Sequence, residues 1–249
     1  MKTRIVYPKP PIVEAVVEFG FSETVAQQAL LESLGQDLAK KYAGPRKKQS
    51  RVDASITVNA EMVATEARRT TPIVFLISED GLRLIGCAES ALSVHVLAPY
   101  PGWERFAEQV EEAVAALPEV VKRKNLSRLS VRYVDRIVMP AGDIELGDYL
   151  KTVPKRPDSM PREISALHVV TQSRDPSDGT TALLTIAAIP PDSKEGRVEL
   201  MYDLLLQRTG DPLCGLVDKK WLEIVDNLHV RQRDVFEDSI TERMKQLFL

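Results

Sequence analysis

Three arginines recur at every fourth residue in the segment Arg128–Pro140 (RLSVRYVDRIVMP): Arg128, Arg132 and Arg136. Successive side chains on a strand point to opposite faces, so all three share one face. Leu129, Val131, Tyr133 and Ile137 share the other, which reads as core. A guanidinium stays charged and meets a carboxylate or a phosphate through two parallel hydrogen bonds. The row therefore needs acidic side chains, an anionic ligand or water opposite it. A second segment, Ile12–Phe19 (IVEAVVEF), carries Glu14 and Glu18 on one face at the same period. If the two segments are neighbouring strands, Glu14 and Glu18 lie beside the arginines and fix how the strands meet.

Two binding readings compete with that internal network. In the first, Arg128, Arg132, Arg136, Glu14, Glu18 and His95 line a groove for a ligand or partner, with Tyr100 and Trp103 as an aromatic clamp. The plainer role of Tyr100-Pro-Gly-Trp103 is to anchor a helix through Trp103 while Gly102 permits a tight turn. In the second, Lys47, Lys48 and Arg51 of the basic stretch Lys40–Arg51 join Arg132 and Arg136 to hold nucleic acid. The parity that aligns the arginines would add Asp53, Ser55, Thr57 and Asn59, and Arg197, Glu199 and Asp203, to their face. These do not extend a basic stripe, and the formal net charge of -3 argues against a dedicated nucleic-acid binder.

Catalysis has little to build on. His95, His168 and His229 show no metal-ligand spacing, and Cys87 and Cys214 sit in no C-x-x-C pattern. Glu14 and Glu18 on one strand would lie about 13 Å apart, too far for two carboxylates to share one bond. Nucleophile-elbow, phosphate-loop and dinucleotide motifs are absent. No catalytic residue, metal or cofactor is expected. Apolar content of 44% and charged content of 28% are ordinary for a globular protein. No signal peptide and no run of eighteen apolar residues is found, which with two free thiols predicts a cytoplasmic protein without membrane contact.

The elements that must position these residues follow from periodicity. Ser22 is the expected cap of a helix carrying Leu30, Leu31, Leu34, Leu38 and Tyr42, and Lys40–Arg51 reads as a surface loop. Strands are expected at Val52–Asn59, Pro72–Ile77, Leu82–Gly86 and Ala91–Leu97. A helix with the stripe Trp103, Phe106, Val110, Val114 and Leu117 follows, with Pro101 near its first turn. The arginine strand opens a second series: a short helix at Ile144–Lys151, a Pro-rich loop at Val153–Pro161, and strands at Ile164–Gln172, Thr180–Ile189 and Arg197–Leu204. A single helix from Asp218 to Phe248, about 45 Å long, closes the chain. Its buried stripe includes Trp221, Val225, Leu228, Gln232 and Phe236.

The pieces Pro10–Val16 (PPIVEAV), Leu97–Phe106 (LAPYPGWERF), Arg132–Ile137 (RYVDRI), and Phe236, Ile240-Thr241 and Phe248 occur in this order. Together they resemble a sporadically distributed family of bacterial proteins of unknown function, over nearly the whole chain. That family often has asparagine where this chain has His95 and Asp135, so no role needing an amide there carries over. The resemblance implies a bacterial accessory protein, and its patchy distribution a mobile or defence-type system.

The expected fold is α+β: two similar strand-helix-strands-helix halves, residues 1–121 and 122–249, coupled through one curved, mainly antiparallel sheet with helices on one face. The expected function is non-catalytic binding of another protein. Nucleic acid on the arginine strand is the first alternative, and an enzyme or ligand sensor with a groove site the second. A second copy of the chain is a further partner the sequence allows.

Overall fold

A computed structural model describes residues 6–49, 52–58, 63–69, 72–140, 144–154, 157, 159, 166–189 and 199–249, with 52–58 and 63–69 described as backbone only. The strands are β1 (Ile12–Phe21), β2 (Lys47–Gln49), β3 (Val52–Val58), β4 (Val63–Arg69), β5 (Ile73–Ile77), β6 (Arg83–Cys87), β7 (Ala91–Leu97), β8 (Asn125–Val138), β9 (His168–Arg174), β10 (Thr181–Ile189) and β11 (Glu199–Gly215). The helices are α1 (Gln27–Asp37), α2 (Trp103–Ala115), α3 (Glu119–Lys122), α4 (Lys220–Ser239) and α5 (Glu242–Lys245). The protein is α+β, built on one nine-stranded sheet in the order β2-β5-β6-β7-β1-β8-β11-β10-β9, with β3 and β4 forming a separate pair. Every pairing in the large sheet is antiparallel.

β1 and β8 meet in the middle of the large sheet, in the register Val16↔Arg132 and Val17↔Val131. Both are rich in β-branched residues, which suit a pleated surface packed on one side. Alternation then sorts them: Ala15, Val17 and Phe19 of β1 and Leu129, Val131 and Tyr133 of β8 face the helices and are buried. Leu30 and Leu34 of α1, Phe106 and Val110 of α2, and Trp221 and Val225 of α4 complete this core. Phe19 meets Trp221 edge-on at 5.2 Å between ring centroids. Burying each such side chain contributes about 1.5–3 kcal/mol, so one face is committed to packing. The opposite face carries no helix among the described residues and holds the charged positions.

Several expectations are corrected. Ser22 caps nothing: α1 starts at Gln27 behind Ala26, which makes no side-chain cap, and the Ser22 amide donates to Asn125. Tertiary burial of Leu30, Leu31 and Leu34 sustains that helix instead. Within the expected loop, Lys47–Gln49 forms an edge strand on β5. A strand at Val63–Arg69, unanticipated, pairs with β3, so Asp53, Ser55 and Thr57 belong to the small sheet and not to the arginine face. Around Ile144–Lys151 only one 3₁₀ turn forms, Leu146–Asp148. The terminal helix breaks at Ile240, whose extended backbone bridges to Leu150; the Thr241 hydroxyl then caps α5 by accepting from the Met244 amide. β11 runs to Gly215, past the expected Leu204, through an irregularity between Thr209 and Cys214. Arg51, Asn59, Arg197, part of Val153–Pro161 and the start of the strand expected at Ile164 lie outside the described residues.

Candidate functional site

The open face curves into a groove of about 1100 Å³, to which every strand of the large sheet except β9 contributes. Glu14, Glu18, His95, Arg128 and Arg132 line it, as do Lys47 and Lys48 at one end. The arginines are claimed by carboxylates. Arg132 donates through Nε and an Nη to both oxygens of Asp203, at 2.7 and 2.6 Å. Arg136 pairs with Glu199 and Arg128 with Glu18. Gly20 stands opposite Arg128, and a Cβ there would come within 3.0 Å of the Arg128 Cβ and 3.4 Å of its Nε. Its missing side chain lets Arg128 lie across β1 to reach Glu18. The network is internal, as β1–β8 adjacency implied, yet β11 supplies two of its three acids.

Glu14 turns away from the row to His95 on β7. His95 Nδ1 lies 2.8 Å from the Glu14 carboxylate and Nε2 lies 2.8 Å from the Ser93 hydroxyl. The hydrogen bond from His95, opposed by burial and aided by its charge and that of Arg132, holds the Glu14 carboxyl below its usual range. Carboxylate, imidazole and hydroxyl in series have the connectivity of a nucleophilic relay. Such a relay also needs donors aimed at a developing oxyanion, and losing one such donor typically costs about 10²–10³ in rate. Ser93 sits within β7 with ladder partners on both sides, Glu18 of β1 and Gly86 of β6. The Arg132 guanidinium is held by Asp203 through Nε and an Nη, and Arg128 by Glu18 through one Nη, its buried Nε having no hydrogen bond among the described residues. The chain of contacts fixes the His95 ring.

Tyr100 and Trp103 are not in the groove. They lie on the helix-covered side, at the rim of a second cavity of about 640 Å³ between the start of β1, the β7–α2 junction and α4. Gly102, at φ 93°, adopts a backbone that a side chain would strain and starts α2 with Trp103 as its first residue. The indole stacks flat on His229, with centroids 4.0 Å apart and planes within 4°, and donates to Asp226. The Tyr133 hydroxyl links His229 Nδ1, at 3.0 Å, to the Tyr100 hydroxyl, at 2.9 Å. Burial first, then Tyr100, drives the Tyr133 phenol well above its usual range.

Two further residues in this cavity escaped the motif reading. Asp135 is 2% exposed and Gln232 5% exposed, both line the cavity, and neither side chain has a hydrogen bond or ion pair among the described residues. Burial, with the Asp203 carboxylate adding to it, pushes the Asp135 carboxyl up to about 8. The signal was readable: Asp135 stands at core parity between Tyr133 and Ile137, and Gln232 in the buried stripe of α4. The thiols are inert by comparison, since burial raises Cys87 to about 12 and Cys214 in the same direction. No group of metal-ligating side chains occurs among the described residues, and no helix there is long and apolar enough to cross a membrane.

No protein-family model matches the chain, and neither does any curated protein.

Proposed function

We propose that this chain is a non-catalytic binding protein that docks a protein partner in the groove on the open face of its sheet. The observation that carries the reading is the state of the groove's charges. The groove's arginines Arg128 and Arg132 are paired with Glu18 and Asp203, and exposed aliphatic side chains stand to one side of these pairs, on β10 and β9. Leu183 is 37% and Val170 55% exposed, and both stand on the groove face of β10 and β9. Paired charges bordered by exposed aliphatics suit a protein surface of mixed polarity, such as an extended segment presenting apolar side chains flanked by amides or hydroxyls. A nucleic-acid backbone instead requires several cations free to displace counterions. Lys47 and Lys48 alone remain without an ion pair along the described groove lining. The resemblance to a patchily distributed bacterial family supports an accessory or defence-type setting.

The test is affinity capture from the native host after nuclease treatment, comparing wild type, Leu183→Arg and, as a control on the helical side, Val230→Arg. One defined protein is expected with wild type and the control, and its loss with Leu183→Arg. Capture that depends on nucleic acid, or a partner indifferent to Leu183→Arg, would refute the reading.

A further inference from the structure

The covered-side cavity carries chemistry that packing does not require. A buried polar side chain without a partner costs about 1–3 kcal/mol, more when it can ionise, and native interiors rarely keep two side by side. Asp135 and Gln232, 2% and 5% exposed, turn toward the same cavity, and neither has a hydrogen bond among the described residues. That space, about 640 Å³, falls in the range of roughly 300–1,000 Å³ typical of small-molecule sites. Its walls are otherwise aromatic or proline-rich: Tyr7, Pro10, Pro11, Tyr100, Trp103 and Phe236. Three acids line it, Asp135, Glu104 and Glu237, against one guanidinium, Arg233. Arg233 is held by Asp234, Glu237 by Lys245 and the Tyr7 hydroxyl, and Glu104 is also engaged, which leaves Asp135 as the acid with no partner among the described residues.

We propose that this cavity binds a small organic cation bearing N–H donors, of the protonated-amine or amidinium class. Asp135 would accept its N–H groups as a carboxylate, the Gln232 carboxamide oxygen would accept another, and the surrounding ring faces would stabilise the positive charge. Aromatic walls with a recessed carboxylate favour a cation over an anion, which the Asp135 carboxylate would repel. Above about pH 8, where Asp135 is charged, they also favour it over a neutral amide, which would leave that charge uncompensated.

Binding of this kind is coupled to a proton. In the empty cavity Asp135 holds its proton up to about pH 8, and the cation displaces it. The groups facing Asp135 are Tyr133 on its own strand, Tyr202 and Asp203 on β11, His229, Arg233 and Glu237 on α4, Tyr100 and Glu104 at the start of α2, and Tyr7. Among the carboxyls and phenols here, the Tyr133, Tyr202 and Tyr7 hydroxyls are shifted up and so stay neutral through this window.

The test is calorimetric titration of the full chain with benzamidinium, with neutral benzamide as its shape-matched control, and with a capped Gly-Arg-Gly peptide. Benzamidinium is expected to bind with an affinity that rises about tenfold per pH unit from pH 6 to 8 and then levels, with proton release in that range. Asp135→Asn should weaken it at least tenfold and flatten the pH profile, while circular dichroism shows the variant folded. Stronger binding of benzamidinium points to a free small molecule, and stronger binding of the peptide to a partner's arginine; either supports the cation chemistry. Saturable binding of neither at about pH 8.5 below about 10 mM, benzamide binding as well as benzamidinium at that pH, or unchanged binding by folded Asp135→Asn would overturn it.

Discussion

The two faces of the sheet handle charge in opposite ways. On the open face, Glu14, Glu18, Arg128, Arg132 and Arg136 are each matched by an internal partner, the buried Nε of Arg128 being left without a hydrogen bond among the described residues. On the covered face, one carboxyl and one carboxamide line a cavity with no hydrogen-bond partner among the described residues. The face that looks chemical in the sequence is thus largely self-satisfied, and the face that looks like core keeps unspent polar groups. A row of like charges on a strand invites acids from its neighbours, because leaving such a row unpaired on a partly buried face is costly. An isolated acid at core parity has no such remedy, so its retention is the stronger pointer to a ligand.

The largest effect that could break this contrast is at Asp135. Its folded carboxyl titrates near 8, well above the ordinary carboxylate value near 4. The fold therefore favours the protonated form, and the contribution is complete below about pH 4 and lost as pH climbs to about 8. Each unit in that window costs about 1.4 kcal/mol, several kcal/mol in all. Asp135→Asn, neutral throughout, should melt progressively higher than wild type as pH rises from 5 to 8, and the two should converge near pH 4. Parallel melting curves would show that Asp135 is solvated or partnered, and the contrast between the faces would collapse.

A smaller effect belongs to the arginine row. Arg132 and Asp203 form a two-point contact, but the arginine is half-exposed, and screening by water reduces what the pair contributes. A double-mutant cycle with Arg132→Met and Asp203→Asn should give a coupling of about 1 kcal/mol in urea unfolding, diminishing in high salt. Asp203→Asn should also lower the Asp135 titration, since the Asp203 charge contributes to raising it. Zero coupling would free the guanidinium of Arg132 for an external anion and reopen the nucleic-acid reading.

How much of this was legible depends on the range of the interaction involved. Strand parity is local, so the two faces of β1 and β8, and their adjacency through Glu18 and Arg128, could be read from the chain. The partners of Arg132 and Arg136 could not, because Asp203 and Glu199 come from a strand some seventy residues on, and only the sheet order brings β11 beside β8. The break at Ile240 was hidden for a similar reason. Its apolar period continues through Met244, and the bridge to Leu150 that interrupts the helix is a tertiary event. Tyr100 and Trp103 were assigned to the groove because a motif does not say which side of a sheet it faces. Asp135 was passed over for a different reason: an acid among apolar neighbours stands out only when parity is followed residue by residue.

The smallest effect tests whether the Glu14–His95–Ser93 series is structural. A carboxyl held below its ordinary value contributes stability above that value and loses it as pH falls through the folded one. Glu14→Gln should therefore cost up to about 1 kcal/mol at neutral pH and almost nothing at about pH 3. Ser93→Ala removes a single hydrogen bond to His95 and should cost a similar amount at neutral pH. Both variants should capture the same partner as wild type, since neither adds bulk or charge to the groove. A Ser93→Ala variant that folds normally yet loses an esterase or amidase activity present in wild type would mean that some donor does reach an oxyanion above Ser93. The open face would then be the reactive one, and the contrast between the two faces would have to be drawn the other way.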